Sequence, residues 1–161
     1  MTYTLLTETS PSSDQLDAYD RIRAAMDAAV LRYNRHSSFA RHLYVRYSPW
    51  VGTAEGGGND ISFGANRAFM NERTALHEIG HTVGVGISWG WFQTCSNQDG
   101  SGYWTGPRAR QLIKNWDGPE AEINCGGSHI WPYGMNYDNE FTETNADRHV
   151  ELMQAMVLDG Q

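Results

Sequence analysis

The segment HEIGHTVGVGISW, residues 77–89, constrains the fold more tightly than any other part of the chain. Ile79 and Val83 in this segment continue a helical spacing that starts at Leu76, directly before it, so the segment predicts an α-helix with one apolar side. Asn71 can cap the start of this helix, and the glycines that follow Val83 can end it. The fold must therefore bury the apolar side of this helix and leave the side with its ionisable residues accessible.

The rest of the chain predicts an α+β domain with a small mixed β-sheet, a long N-terminal helix and a C-terminal helix. No internal repeat interrupts it, and we expect residues 1–161 to form a single domain. Loops are expected over 50–59 and 128–140 and over most of 85–128. The expected elements are strands at 2–8, 43–48 and 60–64, a helix ending near Asn34 whose apolar side includes Leu16, a short helix from Pro107 to Trp116, and a final helix from about Thr142.

Composition narrows the class of protein. The formal net charge of −7 argues against a nucleic-acid partner, because phosphate binding needs clustered Lys and Arg. No apolar run is long enough to span a membrane. Cys95 and Cys125 lie in loop-like sequence and predict a disulfide, which implies an oxidising compartment. We therefore expect a secreted protein that acts as a monomer, with no membrane partner.

His77 and His81 are four residues apart, which places both imidazoles on one face of a helix, one turn apart. Two ring nitrogens in that arrangement can reach a single Zn²⁺ ion. Glu78 projects beside the first histidine, where it can take a proton from a zinc-bound water. The spacing therefore predicts a zinc hydrolase site with Glu78 as its general base.

The motif HEIGHTVG resembles the active helix of metzincin-type zinc peptidases, whose pattern is HExxHxxGxxH. GMNY, residues 134–137, is similar to the methionine-containing turn that lies beneath the metal in that clan, with Met135 followed by Tyr137. The resemblance implies a zincin-like fold and a secreted zinc endopeptidase, with Met135 as an apolar cushion. The chain departs from the pattern at Ile87, where the clan has its third histidine ligand.

Two residues are candidates for the third zinc ligand, and His129 ranks first. It lies in a glycine-flanked segment six residues before Met135, and a disulfide at Cys125 would tether that segment. The rival is Glu143, since Glu143 to Asp147 resembles the ExxxD helix of thermolysin-like and neprilysin-like zinc peptidases, although an acidic first helical turn is ordinary. Asp138 and Glu140 are weaker candidates for the ligand. His36 and His42 are expected at the surface, and His149 is expected to be structural or solvated.

Aromatic residues surround these candidates. Tyr137, or failing it Tyr133, can act as a further ligand or donate a hydrogen bond to an oxyanion, although tyrosines that only pack are common. Four tryptophans near the site are equally explained by packing and by a binding platform for sugars or apolar side chains. They are Trp89, Trp91, Trp104 and Trp131.

Three functions remain open from the sequence. The first is a secreted zinc endopeptidase acting on protein or glycoprotein substrates, with the strand at 60–64 pairing to an extended substrate beside the segment at 53–60. The second is a zinc hydrolase of an amide or ester on a glycan or glycopeptide. The third is an inactive zincin-like binding module, which the isoleucine at position 87 motivates.

Overall fold

The structure, a computed structural model that describes all 161 residues, has the α+β architecture that the sequence predicts. It contains five α-helices, seven short strands and two single-turn 3₁₀ helices. In chain order the strands and α-helices are β1 (Thr2–Leu6), α1 (Ser13–His36), β2 (His42–Tyr47), β3 (Ala54–Gly57), β4 (Asp60–Phe63), α2 (Glu72–Thr82), α3 (Trp89–Thr94), β5 (Gly102–Tyr103), α4 (Pro107–Asp117), β6 (Asn124–Gly126), β7 (His129–Trp131) and α5 (Glu143–Leu158).

The chain divides into two compact units, Met1–Thr82 and Val83–Gln161. The first unit contains α1, α2 and a four-stranded sheet, and the second contains α3, α4, α5 and a three-stranded sheet. The expectation of a single domain stays a prediction.

The sheet of the first unit is mixed, with strand order β1-β2-β4-β3. β1, β2 and β4 run parallel, and β3 pairs antiparallel with β4 at one edge. Val45 and Ile61 are paired residues on the two central strands and are fully buried. The faces of parallel central strands must be buried by apolar side chains, which the amphipathic helices of this unit can supply.

The expected loop at 50–59 was wrong, because residues 54–57 form β3. Three consecutive glycines lower strand propensity, which hid the strand from the sequence pattern. Gly57 pairs with Asp60, so only Gly58 and Asn59 form the turn, and Gly58 has a φ of 56°. A two-residue hairpin loop needs such positive φ values, and glycine reaches them without steric cost.

The long helix α1 begins with a reciprocal capping box. Ser12 accepts a hydrogen bond from the backbone of Gln15, and the Gln15 side chain accepts one from the backbone of Ser12. The assignment of Leu16 to the apolar side was wrong, since that side chain is 50% exposed. Ala18 and Ala25 lie on the buried side instead, because small side chains allow close packing that a scan for large apolar residues overlooks.

The second unit is more regular than the sequence predicts. Residues 89–94 form α3, and the strands β5, β6 and β7 form an antiparallel sheet within segments expected to be loops. These strands are two or three residues long, too short to show an alternating pattern. The disulfide between Cys95 and Cys125 is confirmed and joins the end of α3 to β6. No helix of the chain has the length and apolar character needed to cross a membrane.

Candidate metal centre

The two histidines of α2 form a close pair. Asn71 caps the helix by accepting a hydrogen bond from the backbone of Thr74 at 2.9 Å, which fixes the helical register of the residues that follow. The Nε2 atoms of His77 and His81 are 3.1 Å apart, and their rings meet edge to face. Both side chains are half-buried, so the pair is accessible from one side.

This separation suits a shared cation. Two imidazole nitrogens bound tetrahedrally to one Zn²⁺, each at about 2.05 Å, would be about 3.3 Å apart. The observed 3.1 Å between the Nε2 atoms of His77 and His81 is close to that value. The histidine pair therefore fits two of the positions around a zinc ion. The structure contains no group of three or more His, Cys, Asp or Glu side chains placed to hold a metal ion.

Glu78, between the two histidines in sequence, is buried with only 5% of its surface exposed. Burial, opposed by the Arg73 guanidinium and assisted by the Glu55 carboxylate, raises the pKa of its carboxyl to about 7. A bound dication nearby would favour the charged form and lower this pKa again. Glu78 is thus a shielded carboxyl group on the same helix as the histidine pair.

Strand β3 approaches α2 at this residue. A Cβ atom on Gly56 would lie 2.3 Å from the carbonyl oxygen of Glu78, so only glycine allows this closeness of the two backbones. β3 is also an edge strand of the sheet, with β1 at the opposite edge, whereas β4 is paired on both sides by β2 and β3. The expectation that 60–64 pairs with a substrate was wrong, because β4 has no unpaired edge. β3 is the edge strand that lies against α2.

His129 was expected to lie in a loop, but it is the first residue of β7. Gly127 and Ser128 form the two-residue turn before it, both with positive φ, as such hairpins require. Nδ1 of His129 lies 2.5 Å from the carbonyl oxygen of Gly127, so it donates there and carries the ring proton. That tautomer leaves the lone pair on Nε2, as metal-binding histidines commonly have it. The ring of Trp131 stacks on the imidazole.

The GMNY segment forms a tight turn around a buried methionine. Tyr133 and Met135 have φ values of 66° and 56°, a conformation uncommon for residues with side chains. Asn136 holds the turn by donating from Nδ2 to the carbonyl oxygen of Ile130 at 2.9 Å. A Cβ on Gly134 would lie 2.1 Å from the same oxygen, which excludes larger residues there. Met135 is fully buried, which fits the cushion role that the resemblance implies.

The two candidate tyrosines have different environments. The Tyr133 hydroxyl donates to the Asp117 carboxylate at 2.8 Å and accepts from Arg148 at 2.5 Å, so this phenol is already engaged. Burial, and then the hydrogen bond to Asp117, raise the pKa of Tyr133, while Arg148 opposes that rise. Tyr137 is 64% exposed and therefore has room to reorient. Of the two, Tyr137 is the one whose hydroxyl can be recruited to a site.

Helix α5 contains Glu143, the alternative candidate for the third ligand, and His149, which makes a contact that the sequence did not predict. Glu143 is exposed in the first turn of α5, after Thr142, which caps the helix by accepting from the backbone of Asn145. His149 is 2% exposed, and its Nδ1 donates to the carbonyl oxygen of Tyr133 at 2.7 Å. His149 thus fixes the methionine turn to α5. Its sequence position, three residues after Ala146 on the buried side, was a signal for this role.

The four tryptophans divide between packing and exposure. Trp91 and Trp104 are buried and lie against each other, with ring centroids 5.8 Å apart. Their indole nitrogens donate to side chains within the second unit. Trp131 is half-buried against His129, and Trp89 is 77% exposed. Packing therefore explains two of the four.

His77, Glu78 and His81 lie in the first unit, whereas His129, Tyr137 and Glu143 lie in the second. The assembly of these two sets into one site stays a prediction. Comparison with known proteins gives no relative: no family model matches the chain, and neither a curated protein nor a solved structure does.

Proposed function

We propose that this protein is a secreted zinc-dependent endopeptidase. The observation that carries the proposal is the pair of Nε2 atoms on His77 and His81, 3.1 Å apart, on a helix whose intervening Glu78 is buried. A separation near that of two zinc ligands is expected of a metal site and is not required of two unrelated surface histidines. The resemblance of the helix and the methionine turn to metzincin peptidases supports the same assignment.

Each group has a defined role in peptide hydrolysis. Zinc, when bound, lowers the pKa of a water molecule to roughly 7 and polarises a carbonyl group. His77 and His81 would hold the ion, and Glu78 would accept a proton from the attacking water and deliver it to the leaving amine. Tyr137 can donate a hydrogen bond to the developing oxyanion.

We assign the third ligand position to His129, with Glu143 as the alternative. The Gly127 carbonyl fixes the His129 tautomer so that Nε2 keeps its lone pair. The neighbouring Ser128 donates to the carbonyl oxygen of Gly86 at 3.4 Å, and Gly86 follows His81 by five residues. The hairpin that carries His129 is therefore held against Gly86 within the second unit.

The free edge of β3 is the substrate-binding element in this proposal. An extended peptide can add to an exposed strand edge through main-chain hydrogen bonds. β3 lies against the backbone of Glu78 at Gly56, so a peptide on that edge would run near the residue that carries the proposed catalytic carboxylate. The Cys95–Cys125 disulfide supports secretion, because such bonds persist in oxidising compartments.

The first experiment compares the wild type with Glu78→Gln in the cleavage of casein and of a quenched peptide library. The amide has the size of the carboxylate but cannot accept the proton, so we expect kcat/KM to fall by at least about 10²-fold with zinc retained. Glu120→Gln, on an exposed glutamate, is the matched control and should keep wild-type activity. Full activity in Glu78→Gln, or a wild type that cleaves nothing, would overturn the proposal.

The second experiment identifies the third ligand. Zinc per chain is measured by elemental analysis on the wild type, His129→Ala and Glu143→Ala after identical dialysis. We expect one zinc in the wild type and in Glu143→Ala, and loss in His129→Ala. Loss in Glu143→Ala alone would transfer the ligand role to the glutamate.

A further inference from the structure

A cleft of about 470 Å³ opens in the first unit where the parallel strands β1 and β2 end. Its walls come from residues 6–8, from Gln15 and Tyr19 on α1, and from residues 46–50. No residue of α2 lines it, so the zinc-binding histidines take no part in it. The volume lies in the range of ligand sites, roughly 300–1,000 Å³, and ligands of sheets with parallel strands bind outside the carboxyl ends of the strands.

Trp50 stands at the rim of this cleft with 93% of its surface exposed. It lies in a tight turn closed by a hydrogen bond from the backbone of Val51 to the carbonyl oxygen of Ser48, at 3.0 Å. Pro49 fixes the backbone within that turn, and Ser48 is itself bonded to Phe63 of β4. A large flat ring is thus held in solvent on a rigid turn, and packing does not account for it.

Polar groups of both kinds face the same cleft. The backbone of Glu8 donates to the hydroxyl of the buried Tyr19 at 3.2 Å, which positions this residue while its carboxylate makes no hydrogen bond or ion pair. The side-chain oxygen of Gln15 is used in capping α1, which leaves its NH₂ group as a donor. The cleft therefore offers a carboxylate acceptor and an amide donor near an aromatic ring.

The charge of the cleft selects among ligands. Arg46, the cation of the lining, forms an ion pair with Asp60, so its charge is already compensated. Glu8 then leaves the cleft with a net negative character. Phosphates, uronic acids and other anions are disfavoured there by repulsion, and a neutral ligand is not.

We propose that this cleft binds a neutral oligosaccharide. A pyranose ring presents an apolar C–H face that stacks on an indole, as the exposed face of Trp50 allows. Its hydroxyl groups both donate and accept, which matches the Glu8 carboxylate and the Gln15 amide. The site would hold the enzyme on a glycan or on the sugar portion of a glycoprotein, and it does not depend on zinc or on the proposed peptidase activity.

The test is titration calorimetry of the whole protein with millimolar cellohexaose, xylohexaose, maltohexaose, N-acetylchitohexaose and hexagalacturonate. We expect at least one neutral oligosaccharide to bind and the acidic one not to bind. Trp50→Ala should lower the affinity at least about tenfold, equivalent to about 1.4 kcal/mol. Trp50→Phe should keep part of the affinity, because it retains an aromatic face.

Phe92→Ala is the matched control, since Phe92 is also an exposed aromatic residue but lies in the second unit and does not line the cleft. It should bind the oligosaccharide as the wild type does. The proposal is overturned if no neutral oligosaccharide binds, if Trp50→Ala binds undiminished, or if hexagalacturonate binds as well as the neutral sugars. Displacement of the bound sugar by a casein peptide would reassign the cleft to protein ligands.

Discussion

Replacing Gly56 with alanine tests the contact between the edge strand β3 and helix α2. The new Cβ would lie 2.3 Å from the carbonyl oxygen of Glu78, whereas ordinary contact begins at 3.4 Å. Strand and helix must therefore separate by about 1 Å. Because β3 pairs only with β4, the strand is the element that can retreat, at the expense of that pairing.

The expected cost of Gly56→Ala is about 1–3 kcal/mol of unfolding free energy, the range for overpacked sites. Urea unfolding of the variant and the wild type measures it directly, with no assumption about activity. If β3 positions the substrate beside Glu78, a displacement of this size should also lower kcat/KM by about 10²-fold.

Gly52→Ala is the matched control, because no atom lies within 4 Å of the Cβ it would add and its φ is not positive. Its unfolding free energy should stay within about 0.5 kcal/mol of the wild type. Equal stability of Gly56→Ala and Gly52→Ala would refute the close approach of β3 to α2. A destabilised Gly56→Ala with wild-type kcat/KM would instead show that the edge strand does not position the substrate.

Three further predictions follow from other contacts. Replacing Cys95 and Cys125 together with alanine should lower the unfolding free energy by about 2–4 kcal/mol, measured in urea, because the open chain regains loop entropy. Tyr133→Phe should cost about 0.5–1.5 kcal/mol in the same assay, since the hydrogen bonds of its hydroxyl are lost while Asp117 and Arg148 still pair directly with each other at 3.1 Å. The hydrogen bond from Arg67 is the largest influence lowering the pKa of Asp17 from 3.8, so its stabilisation is present above pH 4 and lost as the pH falls through the folded-state pKa. The stability difference between Asp17→Asn and the wild type should therefore shrink below pH 4 in thermal melts, and a constant difference would contradict the assignment.

The sequence predicted the parts of the molecule that depend on neighbouring residues. The register of His77, Glu78 and His81 follows from the period of one helix, and a capping asparagine six residues earlier fixes its start. The capping box at Ser12 is equally local, because both partners lie within four residues, although only the structure showed it. The α+β class followed from the order of such elements.

The short strands could not be predicted from the sequence, because their stability comes from pairing partners elsewhere in the chain. The sequence of β3 is typical of a glycine-rich loop, and the segment is a strand only because it pairs with β4. β7 is a three-residue strand that forms only as part of its hairpin. The same holds for the free edge of the sheet, which belongs to β3 and not to the more apolar β4. No local pattern records which strand is last in a sheet.

The candidate site divides in the same way. The chain alone determined the two histidines and the carboxylate, since helix geometry places them within one turn. Only the tertiary structure decided that Glu78 is buried, that the Tyr133 hydroxyl is taken by Asp117 and Arg148, and that Trp50 stands exposed at a cleft. Burial, charge pairing and exposure are set by residues far apart in sequence, and folding alone brings those residues together.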